Sequence, residues 1–336
     1  MNPLEELVRE VVHAPETVEV HEERMKSGVY RLSCTIGGER RSFVGKRLDP
    51  DIAHRNELVA RRWLPAAGLG DSGPPLLAAA AERDASSVWH LYEDLGDCGL
   101  HVGEADDDRV ALAVGTIARI HMSFAGHALT PEFRVWGGDL GIYFYAVSVR
   151  DAITALESVL SCRPRLGAER SSLCERLLAR LAGLLDEHAA RAEALAHHGG
   201  PETLLHGDLW PANVMVQESG RDARVRLIDW DHAAVGPVSY DLSTFLYRFP
   251  DSARASILRM YEEEVAGAGW HLPSATELNV LFETAELGRI ANRVIWPALA
   301  ASEHDADWAY AELQEVERWF EQLGPALSLD DACARS

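Results

Sequence analysis

The sequence has few cysteines, a shortage of positive charge and no long apolar run, and each shortage excludes a class of protein. Its 336 residues include five cysteines, widely spaced and without a C-x-x-C pair. This argues against a disulfide-rich secreted domain and indicates a reducing compartment. No apolar run reaches the roughly 18–20 residues of a membrane-spanning helix. The N-terminal residues lack the basic and apolar regions of a secretory signal, and we expect a soluble cytoplasmic protein that binds no membrane.

The charge balance is strongly acidic. There are 32 lysines and arginines against 53 aspartates and glutamates, which gives a net charge of −21. Such a field repels phosphate backbones, so a nucleic-acid partner is not expected, whereas a cationic small molecule is weakly favoured. The composition is 47% hydrophobic and 25% charged, which is typical of folded globular proteins. The length predicts about two domains or lobes.

Strand-like patterns dominate the first hundred residues and helical periodicity dominates the rest. Residues 29–36 alternate apolar and polar side chains, Gly37-Gly38 signals a hairpin turn, and residues 41–48 form the return strand. From residue 107 onward the apolar spacing is mostly helical. The sequence therefore predicts an α+β protein, with an N-terminal lobe over 1–95, a hinge at about 92–98 and a C-terminal lobe over 99–336.

One motif carries chemistry. It runs HGDLWPANVMV over residues 206–216 and is followed by LIDWD over 227–231. The two apolar runs predict a hairpin, with Asp208 and Asn213 before its first strand and Asp229 at the end of its second. Three oxygen-bearing side chains can therefore converge at one place, and oxygen ligands of this kind suit Mg²⁺.

The spacing of this motif matches the protein-kinase pattern H-x-D-x-x-x-x-N followed by a strand-end aspartate. Gly207 stands where protein kinases usually have arginine, and Ile228-Asp229-Trp230 stands in place of D-F-G. With the continuation to LIDWDHAAVGPVSYDLS, the segment resembles the aminoglycoside phosphotransferase and choline kinase-like family of small-molecule kinases.

That resemblance implies a bilobal protein kinase-like fold with a small antiparallel β lobe and a larger, mainly helical C-terminal lobe. It also implies transfer of the γ-phosphoryl group of ATP to a hydroxyl of a small molecule. Asp208 would be the catalytic residue that takes the hydroxyl proton, and Asn213 and Asp229 would hold Mg²⁺.

The N-terminal lobe then has an expected nucleotide lysine. Lys46 lies on the predicted return strand, at the place where the family has this residue. Glu57 is expected to form an ion pair with Lys46, although a surface pair with Arg61, four residues later, is the alternative.

The nucleotide contacts of two loops rest on the resemblance. Ser27 and Gly28 are similar to the family's short phosphate loop, or they form a plain hairpin turn. At the lobe boundary, the carbonyl of Glu93 and the N–H of Leu95 are implied to contact the adenine edge.

The acceptor side is predicted from one helix, over about residues 276–296 and ended by Pro297. Several polar side chains share a stripe of this helix, where they bind the acceptor or form ordinary salt bridges between helices. The acceptor-binding residues predicted here are Asp231, Glu286, Arg289, Arg293 and Trp296.

Three functions remain open at this point. The first is an antibiotic kinase, with an aminoglycoside or another hydroxylated compound as acceptor. The second is a metabolic kinase for choline, homoserine, a sugar or a ketosamine. The third is an inactive nucleotide-binding module, which the presence of Lys46, Asp208, Asn213 and Asp229 argues against. A monomer and a homodimer are both compatible with the sequence.

Overall fold

The computed structural model describes residues 3–13, 18–103, 107–162, 166–219 and 222–328. The chain forms two compact units. The first contains the residues up to Phe124 together with Pro131–Gly137 and His206–Ala233, and the second contains Ala125–Thr130, Gly138–Leu205 and the residues from Ala234 onward. The segment with the HGD motif therefore belongs to the same unit as the N-terminal strands. The lobe boundary near residue 95 stays a prediction.

The secondary structure alternates between strands and helices in the first unit and is mainly helical in the second. In chain order the elements are α1 (Pro3–Val11), β1 (Val20–Lys26), β2 (Val29–Ile36), β3 (Glu39–Leu48), α2 (Pro50–Leu58), α3 (Leu64–Ala66), β4 (Leu76–Ala81), β5 (Val88–Glu93), α4 (Asp107–Phe124), α5 (Thr130–Gly137), α6 (Ile142–Cys162), α7 (Ala168–Asp186), α8 (His188–His198), β6 (Glu202–Leu205), β7 (Val214–Ser219), β8 (Asp222–Leu227), β9 (Ala234–Pro237), α9 (Ser239–Leu246), α10 (Asp251–Ala266), α11 (Ala275–His304) and α12 (Asp307–Gln322). The predicted α+β class is confirmed.

The first unit is built on a five-stranded antiparallel sheet in the order β1-β2-β3-β5-β4. Helix α1 covers one face and buries Leu4, Leu7 and Val8 in a cluster with apolar side chains of β2, β3 and β5. Gly45 lies on this face, where a Cβ would come within 2.6 Å of Leu4 Cδ2. Because side chains alternate along a strand, the next residue, Lys46, points to the opposite face.

The predicted hairpin over 29–48 is confirmed by its register. Val29 pairs with Lys46 and Ile36 pairs with Glu39, and Gly37 and Gly38 both have positive φ. Lys46 also lies opposite His90 of β5, so the two side chains share the face that α1 leaves uncovered. This register sets where the nucleotide lysine predicted from the sequence lies.

A second hairpin in the first unit carries the rest of the motif. Strands β7 and β8 are antiparallel, and their pairing runs from Val214 opposite Leu227 to Ser219 opposite Asp222. The extended chain before α4 adds to β7, since Leu100 N donates to Val214 O at 2.8 Å and Val216 N donates to Cys98 O at 2.9 Å. The segment that follows β5 is thereby fixed against the hairpin.

The second unit has a helical core. Apolar side chains of α6, α7, α11 and α12 form one buried cluster, which includes Tyr145, Leu156, Leu181, Val294 and Phe320. Strands β6 and β9 form a separate two-stranded ladder. Within the described ranges, no helix is long and apolar enough to cross a membrane.

Helix α11 shows that one predicted boundary is wrong. The sequence predicts an end at Pro297, but the helix continues through it to His304. A proline inside a helix removes one hydrogen bond and costs about 3 kcal/mol. Here Pro297 is buried, and Ala298 and Ala301 beside it are fully buried in the helical core, so tertiary packing offsets that cost. The start of the helix is fixed by a capping box between Ser274 and Glu277.

Candidate active site

The turn that carries the HGD motif is held by the histidine. His206 is 1% exposed. Its Nε2 donates to the main-chain oxygen of Ile228 at 2.8 Å, and its ring contacts that of Trp230 with centroids 4.7 Å apart. With Nε2 used as the donor, His206 fixes the loop to the end of β8 and acts as a structural residue.

Gly207 is required by both space and backbone conformation. Its φ is +80°, in the left-handed region, and a Cβ there would lie 1.9 Å from the main-chain oxygen of His232. No side chain fits that distance. The glycine that distinguishes this sequence from protein kinases therefore lets the loop pass against the segment after Asp229.

Asp208 and Asn213 are joined through the backbone. Asn213 Nδ2 donates to the main-chain oxygen of Asp208 at 2.9 Å, and Ile228 N donates to the main-chain oxygen of Asn213 at 2.9 Å. The amide is thus oriented with its nitrogen toward the loop, which leaves Oδ1 as its ligand atom. The carboxylate of Asp208 is partly exposed and has no hydrogen-bond or ion-pair partner among the described residues.

Asp229 sits in an unusual backbone conformation at the end of β8. Its φ of 67° and ψ of 53° lie in the left-handed region, and a 3₁₀ turn over Trp230–His232 follows. Trp230 is buried and its Nε1 donates to Leu227 O at 2.8 Å. Such a conformation costs about 1–3 kcal/mol and persists only where the surroundings enforce it, as the buried tryptophan does here.

Lys46 is brought to the carboxylates of Asp229 and Asp231. Its Nζ donates to Asp229 Oδ1 and to both oxygens of Asp231, the latter at 2.8 Å each. Burial acts to lower the pKa of Lys46, but the two carboxylates outweigh it and raise this pKa. Burial acts in the opposite sense on Asp229, yet Lys46 lowers its pKa to about 2. Lysine and aspartate are therefore both charged near neutral pH.

A second lysine near Asp229 was missed by the sequence reasoning. Lys26, at the end of β1, has its Nζ 3.5 Å from Asp229 Oδ2. The sequence feature that indicates it is its position directly before Ser27-Gly28, because a cation beside a predicted phosphate loop suits phosphate binding.

The predicted ion pair between Lys46 and Glu57 is wrong. Glu57 Oε1 lies 3.4 Å from His90 Nε2, and Oε2 lies 3.7 Å from Arg61 Nη1. Over the described part of the chain, the carboxylates paired with Lys46 belong to Asp229 and Asp231. One residue along a helix turns the side chain by about 100°, and it is Asn56, not Glu57, that helix α2 directs at this cluster.

Asp231 is tied to helix α2. Asn56 is buried, and its Nδ2 donates to Asp231 Oδ1 and to Ile52 O, at 2.9 Å each. The guanidinium of Arg55 donates to the main-chain oxygen of Asp231. Asp231 therefore lies within the lysine cluster, and its predicted contact with the acceptor stays a prediction.

The residues predicted to contact the base lie at the end of β5 and in the segment that follows it. Glu93 N donates to Pro75 O at 3.1 Å, and the exposed carboxylate of Glu93 is 4.0 Å from Arg226 Nη1. Leu95 O accepts from Gln217 Nε2 at 3.0 Å. These contacts hold the segment to Pro75, directly before β4, and to the β7–β8 hairpin, while the base contacts themselves stay predictions.

The predicted phosphate loop is the turn between β1 and β2. Gly28 has φ +71°, and its main-chain oxygen accepts from Arg47 N at 2.8 Å. Ser27 is exposed. The turn is therefore fixed to the end of β3, one residue after Lys46, and phosphate binding by Ser27 and Gly28 stays a prediction.

The donor set fits Mg²⁺ shared with phosphate groups. Asn213 Oδ1 and the ionised carboxylate of Asp229 are oxygen ligands, and Mg²⁺ is usually held by few protein oxygens together with water and substrate phosphates. Throughout the described ranges there is no group of three or more His, Cys, Asp or Glu side chains that could hold a metal. A metal cage made of such side chains alone is therefore absent from this part of the chain.

The acceptor residues predicted on α11 take part in contacts within the second unit. Glu286 is buried, accepts from Ser243 Oγ at 2.9 Å and pairs with Arg289. The guanidinium of Arg289 lies 4.2 Å from the ring centre of Tyr240. Arg293 lies over the Trp319 ring at 5.2 Å, and Trp296 is 69% exposed. Glu286 and Arg289 belong to the same helix, so their ion pair is not the salt bridge between helices that the sequence left open, and acceptor binding by these residues stays a prediction.

Breaking the Glu286–Arg289 pair is expected to destabilise the fold. Arg289→Met leaves a buried carboxylate without its cation, which costs about 3–5 kcal/mol. The paired change Glu286→Met with Arg289→Met removes both charges, so we expect a clearly smaller loss. Urea unfolding of the two variants measures this difference. Wild-type stability of Arg289→Met together with a raised KM for the acceptor would instead support the acceptor-binding prediction.

A lysine paired with a strand-end aspartate, beside a hairpin that follows an Asp–Asn loop, is the arrangement expected of a kinase-like phosphotransferase site. The model of the phosphotransferase enzyme family (APH) matches residues 35–278, more than half of the chain, and the chain belongs to this family. This confirms the family predicted from the sequence. It also confirms the predicted enzyme class, a phosphotransferase that acts on hydroxyl groups of small molecules. The comparison with curated protein sequences found no match.

Solved structures show the same fold at low identity. An aminoglycoside 2'-phosphotransferase-IIIa with GDP is 16% identical, with 95% of this chain and 98% of that chain covered and a TM-score of 0.59. The Plasmodium vivax ethanolamine kinase is 10% identical, with 90% of this chain and 82% of that chain covered and a TM-score of 0.58. A Streptomyces rimosus aminoglycoside phosphotransferase in complex with ADP and streptomycin is 16% identical, with 86% of this chain and 99% of that chain covered and a TM-score of 0.51. The predicted kinase-like fold is thereby confirmed.

Proposed function

We propose that this phosphotransferase moves the γ-phosphoryl group of ATP to a hydroxyl of a cationic small molecule such as an aminoglycoside. The observation that carries the proposal is the cluster in the first unit, where Lys46 meets Asp229 at the end of the hairpin that also holds the Asp208–Asn213 loop. Nucleotide-bound phosphotransferases of the same fold, with ADP and with GDP, support nucleotide use.

Asp208 is the residue that we assign to the acceptor hydroxyl. Its carboxylate has no partner among the described residues and is partly exposed, so it is free to accept a proton from an incoming hydroxyl. The transition state of phosphoryl transfer offers the protein little covalent chemistry, and orientation of the hydroxyl is the main contribution of such a residue.

Asn213 and Asp229 would hold Mg²⁺, through Oδ1 and the carboxylate. The metal supplies positive charge that neutralises the nucleotide phosphates. Lys46 would bind the same phosphates, which requires it to exchange its hydrogen bond with Asp229 for one to a phosphate oxygen. Ser27, Gly28 and Lys26 would cover the phosphates, and the backbone of Glu93 and Leu95 would contact the base.

The acceptor class is supported by charge. The net charge of −21 attracts cations, and aminoglycosides carry several ammonium groups. A metabolic acceptor such as choline also carries a positive charge, whereas homoserine and sugars gain nothing from this field. The similarity in fold to an ethanolamine kinase keeps a small amino alcohol as the second candidate.

An ADP-release assay with Mg-ATP, corrected for hydrolysis without acceptor, tests the proposal. The panel contains aminoglycosides, macrolides, choline, ethanolamine, homoserine and common sugars, and Asp208→Ala serves as the control. We expect acceptor-dependent ADP with aminoglycosides from the wild type alone. A signal only with choline or ethanolamine would overturn the antibiotic assignment, and nucleotide binding without turnover on any acceptor would favour the inactive module.

A further inference from the structure

Lys46 has two carboxylate partners, and the proposed function needs one of them elsewhere. Asp229 is assigned to Mg²⁺, so its hydrogen bond with Lys46 competes with its role as a ligand. Asp231 meets Lys46 through both oxygens at 2.8 Å. If Asp229 turns to the metal, Asp231 is the carboxylate that still holds the lysine, among the residues that the structure describes.

Asp231 is itself fixed by two neighbouring residues of helix α2. Asn56 donates one Nδ2 proton to Ile52 O, four residues earlier on its own helix, and the other to Asp231 Oδ1. Both protons are thus used, and the orientation of this buried amide is determined. Arg55 donates to the main-chain oxygen of Asp231, so side chain and backbone are both anchored to the helix.

We propose that Asp231, oriented by Asn56, is the residue that positions Lys46 for the nucleotide phosphates. This is the role that the sequence assigned to Glu57, which in the structure pairs with His90 and Arg61. The connection from the lysine to helix α2 therefore runs through the turn after Asp229. The inference rests on the proposed function, because that function gives Lys46 its role. The contact between Lys46 and Asp231 is observed independently of it.

A double-mutant cycle separates a positioning role from a structural one. Asp231→Asn places an amide nitrogen or a weaker acceptor at Lys46, and we expect kcat to fall about tenfold, the scale of one charge-assisted hydrogen bond. In a Lys46→Met background the same change should cost nothing further, because Asp231 acts through the lysine. An unchanged tenfold loss in that background would overturn the proposal.

Variants of Asn56 and Glu57 test whether helix α2 acts on Lys46 through Asp231 or through Glu57. Asn56→Asp sets a second carboxylate against Asp231, and we expect a larger loss of kcat than with Asn56→Ala. Asp71→Asn is a matched control on an exposed aspartate of the same unit. Thermal unfolding and binding of a fluorescent ATP analogue show whether each variant is folded. If Glu57→Gln lowers kcat as much as Asp231→Asn does, the assignment fails.

A readout without turnover distinguishes this proposal from the proposed function. Acetylation of Lys46 by an amine-reactive ester is followed by peptide mass spectrometry, with EDTA present and no nucleotide. A lysine held by two carboxylates reacts slowly, so we expect Asp231→Asn to raise the rate several-fold and Asp71→Asn to leave it unchanged. An unchanged rate in Asp231→Asn overturns the proposal. Absence of kinase activity in the wild type overturns only the function.

Discussion

Replacing Asp208 by alanine is expected to lower kcat by about 10²–10⁴-fold, the contribution of a positioned general base. The carboxylate has no partner among the described residues, so its removal breaks no stabilising contact. We therefore expect the melting temperature and the affinity for a fluorescent ATP analogue to match the wild type. Loss of turnover with binding retained is the signature of a residue that acts on the acceptor hydroxyl.

Asp208→Asn refines this experiment. The amide keeps the size of the side chain and loses the ability to take a proton, so we expect a loss close to that of alanine. Asp71→Asn, an exposed aspartate in the same unit, controls for the loss of one charge. Wild-type turnover in Asp208→Ala would refute the catalytic assignment, and a loss of nucleotide binding would point to a role in the phosphate site.

Gly207→Ala is the second change with a large expected effect. The Cβ would lie 1.9 Å from the main-chain oxygen of His232, and backbone atoms cannot move aside as a flexible side chain can. The loop has to shift, and Asp208 is the next residue. Because a displacement of about 1 Å can cost roughly 10²-fold in rate, we expect kcat to fall by about that factor and the melting temperature to drop.

Gly68→Ala is the matched control for the backbone conformation. Gly68 has φ +72°, but nothing lies within 4 Å of the added Cβ. It therefore carries the cost of a left-handed residue, about 1–2 kcal/mol, without the collision. If the two variants lose the same stability and Gly207→Ala retains full kcat, the close approach to His232 does not set the position of Asp208.

The sequence predicted the parts of the site that depend on local patterns. The alternation over 29–48 and the glycine pair place Lys46 on a strand opposite a defined neighbour, and the register confirms that hairpin. The spacing from Asp208 to Asn213 predicts the loop before β7. These features follow from hydrogen bonds and turn preferences between residues close in the chain, which a sequence pattern records directly.

The failures concern residues whose partners are distant in the chain. Glu57 and Asn56 are adjacent, and only the rotation of helix α2 against the sheet selects the one that meets Asp231. In the same way, Pro297 is a helix breaker by propensity, yet the helical core of the second unit holds α11 through it. Packing overrides propensity where burial is large, because the free energy gained by burying many apolar contacts exceeds the cost of one lost hydrogen bond.

By itself, the sequence determined the α+β class and the family, and it predicted the four residues on which the proposed chemistry depends, Lys46, Asp208, Asn213 and Asp229, since residue types and spacing are local properties of the chain. The tertiary structure alone decided which carboxylates hold Lys46. It showed that Asp231 shares the lysine with Asp229, that Asn56 fixes Asp231, and that Glu286 and Arg289 pair with each other. Charged side chains choose their partners by distance and burial, and residues 46, 56 and 231 become neighbours only when the chain folds.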